Sequence, residues 1–281
     1  MMDLWYRVVE LLPFSWVSYE FMKNALLSVI IVTPCFGLVG TMVVGNRMAF
    51  FSDVIGHSAL TGIAIGVILG FTDVRPVMII FAVILSVAIN LILEKTKASS
   101  DTVIGVFSAS TVALGVALLS RGGSFNRYSV FLIGDILSVT RTEIFYLVLL
   151  LSAVVLFWIF FGSYLALISV EPSLAYDRAI SPFAVKTLFS ILVALVVILS
   201  IRWVGLLIIN SLFILPAASA RLISNSLKGY YVRSMLISLF SGISGLIISF
   251  YTGSACGASI VLCSAVVYMS VLAVKSCRKV I

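Results

Sequence analysis

Phe51-Ser52-Asp53-Val54-Ile55-Gly56-His57-Ser58-Ala59 sets the chain's only histidine four residues after a carboxylate, in a stretch that is otherwise apolar or small. Residues four apart share one face of a helix. Ionisable groups inside a long apolar helix are costly in hydrocarbon, so they face a protein interior or a wet path and mark function. The stretch therefore predicts a membrane-spanning helix with one functional face. A carboxylate oxygen and an imidazole nitrogen converging on that face supply half of a first-row transition-metal site. A proton relay and a structural pair are the other two roles the spacing allows.

Composition extends the membrane reading to the whole chain. Of 281 residues 62% are hydrophobic and 10% charged, and the mean hydropathy is +1.24; soluble domains carry roughly 25% charged residues. A span needs roughly 20 apolar residues, so the length accommodates about eight or nine spans. They form one transmembrane domain over 1–281, with no room for a soluble domain between them. The sequence holds no G-x-x-x-x-G-K-[ST] phosphate loop, so any energy source other than an ion gradient has to come from a partner chain.

The net charge of +7 is scattered over short loops and the C-terminus rather than clustered. That pattern fits the excess of Lys and Arg in cytoplasmic loops and gives no nucleic-acid surface. Cys35, Cys256, Cys263 and Cys277 show no C-x-x-C spacing and read as small hydrophobes, so disulfides are not expected. Cys35 and Cys263 rank as minor soft-ligand candidates. Residues 1–19 carry Asp3, Arg7 and Glu10 among aromatics and leucines. They lack the apolar core of a signal peptide and read as an amphipathic helix at the membrane interface.

Taken in order, spans are expected over about 21–44, 48–71, 77–93, 102–120, 144–168, 183–201, 204–223, 234–250 and 258–274. Pro34 and Pro216 predict kinks in the first and seventh. Gly62, Gly66 and Gly70 lie four apart, a small-residue stripe that reads as helix packing. Asn210 and Ser211 read as interhelical hydrogen-bonding groups. The apolar segment 128–139 is too short to cross and contains Asp135, which suggests a re-entrant or half-helix; Asp135 is also suited to a structural role at a helix end. Segment 171–182 is polar and holds Pro172 and Pro182, so a short exposed helix is predicted, either a plain connection or a surface offered to a partner. Lys95 and Lys97, then Arg221, Lys228 and Arg233, and finally Lys275, Arg278 and Lys279 vote for the cytoplasmic side. Counting back from the basic tail puts the C-terminus and 171–182 inside and the N-terminus outside.

Four stretches carry a resemblance. Asn46-Arg47-Met48-Ala49-Phe50-Phe51-Ser52-Asp53-Val54-Ile55-Gly56-His57-Ser58-Ala59-Leu60-Thr61-Gly62 has an arginine-methionine, an aspartate, then a histidine and a glycine. Leu132 to Thr140 holds a glycine-aspartate segment, Val204 to Arg221 a proline-containing late helix, and Cys256 to Leu262 the fourth stretch. In this order they resemble the permease family of ATP-binding-cassette importers for zinc, manganese and iron, over nearly the whole chain and with spellings most similar to zinc permeases. The resemblance implies an all-α polytopic membrane protein of the metal-chelate/vitamin B12 (type II) architecture and a transporter subunit rather than an enzyme. It sets Asp53 and His57 on the family's metal-coordinating pair, with Asp135 a weaker metal candidate. It further implies no permanently bound cofactor and Zn2+ as the expected cargo, with Mn2+ or Fe2+ as alternatives.

Partners follow in the same way. The resemblance implies a permease homodimer in membrane lipid, two copies of a separate ATPase subunit, and an extracytoplasmic solute-binding protein, in a bacterial cytoplasmic (inner) membrane. The family's coupling helix would correspond to 173–180, with Ser173, Leu174, Ala175, Tyr176 and Asp177 meeting the ATPase. The departure is Ser52, where the family usually has glycine. Metal would pass between two permease copies by alternating access. The rival reading is a secondary carrier in which Asp53 and His57 relay protons; the inverted repeats common in such carriers are not visible. An intramembrane metallohydrolase would need a second histidine for its H-E-x-x-H motif, and the sequence has only one.

Overall fold

A computed structural model describes residues 2–11, 13–96, 99–121, 133–170 and 181–280. Each apolar span becomes a helix because backbone groups withdrawn from water must find partners inside their own segment. The helices are α1 (Met2–Glu10), α2 (Glu20–Gly45), α3 (Phe51–Ile68), α4 (Arg75–Lys95), α5 (Ser100–Arg121), α6 (Arg141–Val170), α7 (Pro182–Val204), α8 (Leu206–Ile223), α9 (Leu227–Thr252) and α10 (Cys256–Val280), with short 3-10 turns at Ser15–Ser18 and Ile136–Ser138. Among the described residues eight helices, α2 to α7 with α9 and α10, are long and apolar enough to cross a membrane, and α8 is a shorter apolar helix. The seventh expected span is thus present in shortened form, because Gly205 interrupts the chain between α7 and α8.

Two helices organise the packing. α6, α8 and α9 lie against α2, while α4, α5, α7 and α8 lie against α3; α8 touches both. Pro34 removes one amide donor from α2, yet the helix runs through it over 26 residues. Neighbouring hydroxyls bond the same stretch: Ser238 Oγ donates to the Thr33 carbonyl and Ser234 Oγ to the Gly37 carbonyl, each at 2.6 Å. Such interhelical bonds hold α9 along α2, at roughly 0.6 kcal/mol apiece in a membrane. The glycine stripe of α3 divides. Gly62 lies against Met78 and Gly66 against Val74, so both pack α3 on the start of α4, whereas Gly70 takes φ +76° just past the end of the helix.

Gly134 and Gly205 form the tightest backbone approach in this part of the fold. Both have positive φ, +73° and +90°, and a Cβ on either would collide with the main chain of the other. Only glycine meets both demands. The contact is reinforced by Asp135 N donating to the Arg202 carbonyl at 3.0 Å. Ile133 to Val139 therefore packs against the break between α7 and α8; the expected re-entrant segment begins at 128, and its residues 128–132 lie outside the described ones.

α1 is a helix, as expected for the amphipathic N-terminal segment, and it is anchored to the first turn of α2. Trp5 Nε1 donates to the Lys23 carbonyl at 3.0 Å, Tyr6 OH to Asn24 Oδ1 at 2.7 Å, and Lys23 Nζ reaches Glu10 at 2.6 Å. The four cysteines are free.

The two ends of the bundle differ in charge. At the end where α2 and α6 begin, cations stand beside carboxylates: Lys23 with Glu10, Arg75 with Asp73, Arg141 with Glu20 and Arg202 with Glu143. The guanidinium of Arg75 holds the Asp73 carboxyl below the usual carboxylate range. The opposite end gathers Arg47, Lys186, Arg221 and Lys275 around adjoining clefts, with Glu94 among them.

Candidate functional site

α3 is an interior helix: over its apolar length 72% of the residues are buried. Asp53 and His57 break that pattern, with side chains 38% and 26% exposed. The reason lies in the neighbouring stripe. Ser52 and Gly56 are buried against α8, Gly56 within 3.7–4.0 Å of Ile209, Leu206 and Val197 should it carry a Cβ. One turn beyond His57, Thr61 Oγ1 donates to the Thr111 carbonyl of α5 at 2.5 Å. With the Ser52 and Gly56 stripe occupied, Asp53 and His57 point where the chain leaves them partly open.

His57 Nε2 stands 3.5 Å from Asp53 Oδ2, longer than a good hydrogen bond. Two donors on one tetrahedral zinc ion, each about 2.0–2.1 Å from it, sit roughly 3.3–3.4 Å apart. The pair is therefore spaced for one small ion with little movement, and its partial exposure leaves lone pairs free to meet one. Two ligands are an incomplete set, and among the described residues no group of three or more His, Cys, Asp or Glu forms.

Asp135 is not brought to this pair. Its carboxylate accepts from Leu137 N at 3.0 Å and caps the short turn that follows, while its own amide is tied to Arg202. Ser173, Leu174, Ala175, Tyr176 and Asp177 lie outside the described residues. The flanking ends of α6 and α7 are described, and they border a cleft of about 490 Å³ lined by Arg47, Asn90, Glu94, Ser169 and Lys186 among others.

Two relationships escaped the sequence. Ser52 Oγ lies 2.6 Å from Asn210 Oδ1, across 158 positions, and Arg202 Nη1 lies 2.5 Å from Glu143 Oε1. Ser52 and Asn210 each stood out as a polar group within an apolar span, and Glu143 and Arg202 as charges at span ends, but nothing local in the sequence names the partner.

The comparisons agree with one another. The model of the family described as "ABC 3 transport family" matches residues 18–275. The chain is similar to the high-affinity zinc uptake system membrane protein ZnuB of Haemophilus influenzae, at 33% identity over 261 residues, covering 89% of this chain and 96% of that one. It is also similar to the manganese import system permease protein ScaB of Streptococcus gordonii, at 31% identity over 252 residues, covering 90% of each. Among solved structures, PsaBC from Streptococcus pneumoniae in complex with Fab superposes with a TM-score of 0.80 at 29% identity, covering 96% of this chain and 95% of that chain.

Proposed function

We propose, from the premise that the chain belongs to the ABC 3 transport family, that it is the membrane permease subunit of an ATP-driven importer of a divalent transition metal, zinc before manganese or iron. The observation that carries the reading is the half-exposed Asp53/His57 pair at 3.5 Å on an otherwise buried helix. A zinc ion accepts one imidazole nitrogen and one carboxylate oxygen at about that spacing. The relatives whose names specify zinc and manganese are nearly equal in identity, 33% and 31%, so the preference for zinc rests on the imidazole donor.

In this reading two copies of the permease face each other, and the open side of α3 lines the path between them. Asp53 and His57 replace part of the hydration shell of the ion, and water or the second copy completes its coordination. The ion is cargo, so the site has to bind weakly enough to release it. ATP is hydrolysed by a separate subunit, and a solute-binding protein delivers the metal from outside. The charge difference between the ends of the bundle supports an orientation with Arg47, Lys186, Arg221 and Lys275 in the cytoplasm, the C-terminus with them, in a bacterial inner membrane. The flanking ends of α6 and α7, with Ser169 and Lys186 at the cleft, would then lie on the cytoplasmic side, and the coupling segment with Ser173 to Asp177 is the part an ATPase would engage.

The test is metal uptake into vesicles carrying the assembled importer. Asp53→Ala and His57→Ala are each expected to abolish ATP-dependent zinc uptake while the ATPase still co-purifies. Normal uptake by both variants would sink the site assignment.

A further inference from the structure

Beside the stripe of α3 that bears Asp53 and His57 runs a buried stripe that makes a polar link to α8. Ser52 is fully buried, and its hydroxyl meets Asn210 Oδ1 at 2.6 Å, with the Ala49 carbonyl a longer alternative at 3.3 Å. The link survives either setting of the Asn210 amide. With Oδ1 inward the hydroxyl donates to it; with the amide turned, Nδ2 donates to Oγ and the hydroxyl proton goes to Ala49. No other side chain caps this end of α3: the residue before it, Phe50, makes no capping hydrogen bond. One turn on, Gly56 lets the same stripe lie on Leu206 and Ile209 of α8.

We infer that Asn210, acting through Ser52, is a positioning residue for the cargo site, setting the rotation of α3 that aims Asp53 and His57 as a unit at the ion and at the groups off α3 that complete its coordination. This rests on the reading of those two residues as the metal contact. Ser52 directly precedes Asp53, and Gly56 directly precedes His57, so the clamped stripe and the ligand stripe run side by side about 100° apart. Rotating α3 by about 20° would carry side-chain tips, roughly 5–6 Å from the axis, through about 2 Å. A site completed by groups off α3 tolerates a displacement of about 0.5 Å. α8 in turn is fixed at its start by Gly205 against Gly134, roughly 7–8 Å of helix rise before Asn210. The serine that replaces the expected glycine in the metal stretch is therefore the near half of a link between α8 and the site, not added bulk.

The experiment measures zinc and manganese uptake, each supplied alone, by the full importer in vesicles. Ser52→Ala and Asn210→Leu are expected to raise the zinc concentration for half-maximal uptake by about tenfold, with the maximal rate and ATPase co-purification nearly kept. Ser52→Thr, which retains the hydroxyl, is expected to stay close to the parent, and the double variant to be no worse than either single one. Unchanged half-saturation in both single variants, or additive deficits in the double, overturns the inference. So does loss of assembly in Ser52→Ala, Ser52→Gly and Asn210→Leu alike, which would assign the bond to folding. Asp53→Ala and His57→Ala run beside them: if those two abolish uptake while Ser52 and Asn210 prove indifferent, the positioning role alone falls; if those two transport normally, the site itself falls.

Discussion

Glu143 Oε1 and Arg202 Nη1 stand 2.5 Å apart across the contact of α6 with α7, and the two ends of this ion pair are unequally buried: the Glu143 side chain is 6% exposed, the Arg202 side chain 44%. Thr140 completes the site, donating from its amide and its hydroxyl to Glu143 Oε2 at 2.9 Å each. The carboxylate is thus the group that depends on its partner. Removing the cation strands a buried charge; removing the carboxylate leaves an arginine that can turn to water. Arg202→Gln is expected to lower stability by about 1.5–3 kcal/mol, below the loss for a fully enclosed pair because Arg202 already sees solvent. The double variant Glu143→Gln/Arg202→Gln should recover part of that loss. Thermal unfolding of the purified protein in detergent reads both, and a single variant as stable as the parent would refute the asymmetry.

A second expectation concerns Gly134 and Gly205. Gly134→Ala or Gly205→Ala adds a Cβ at positive φ and also drives it into the opposing main chain, so neither strain nor crowding can relax alone. Loss of folded protein is expected for both. Gly70 and Gly253 are the controls: they too have positive φ, +76° and +66°, but nothing lies within 4 Å of a Cβ built on either. Alanine there should cost only about 1–2 kcal/mol. Equal yields from all four variants would show that the backbone approach does not hold α7 and α8 in place.

Asp73 supplies a pH dependence outside the spans. Its carboxyl is lowered from an ordinary 3.8, first by the hydrogen bond from the Arg75 side chain. A depressed folded value means that the contribution is present above 3.8 and is lost as the pH falls through the lower value. Both side chains are about half exposed, 50% for Asp73 and 48% for Arg75, so solvent screening limits the effect to roughly 0.2–0.5 kcal/mol. The melting temperature of Asp73→Asn is therefore expected to sit slightly below that of the parent at about pH 6 and to approach it as the pH falls below 3.8. A gap that widens in acid would reverse the assignment.

What could be read from the sequence follows from the range of the interactions. Spans were legible because they answer to local apolar length: α4, read as about 77–93, is Arg75–Lys95, and α6, read as about 144–168, is Arg141–Val170. Asp53 and His57 were legible as a pair because a helix brings positions four apart together whatever surrounds them. The Ser52–Asn210 link and the Glu143–Arg202 pair span 158 and 59 positions; each depends on which helices pack side by side, and apolar helices in a membrane advertise that weakly. A break between spans was expected at 202–203 and falls at Gly205; the glycine contact that fixes it was hidden for the same reason. Arg202 marks the end of the sixth span in the sequence, but only the approach of Gly134 accounts for the close turn at Gly205.

The choice of metal can be tested at His57. An imidazole nitrogen is a favourable donor for zinc, whereas manganese accepts carboxylate, carbonyl and water oxygens in its place with less loss. His57→Gln keeps a polar group in reach but exchanges the nitrogen for an amide oxygen, leaving Asp53 untouched. If the pair meets the ion as proposed, zinc uptake should fall by at least about tenfold while manganese uptake falls less, so that the ratio of the two moves toward manganese. Competition uptake with both metals in the same vesicles measures that ratio directly and does not depend on how much importer is assembled. An equal fall for both metals would mean that His57 serves transport without choosing the cargo. Zinc preference would then have to arise elsewhere along the path or in the delivering partner.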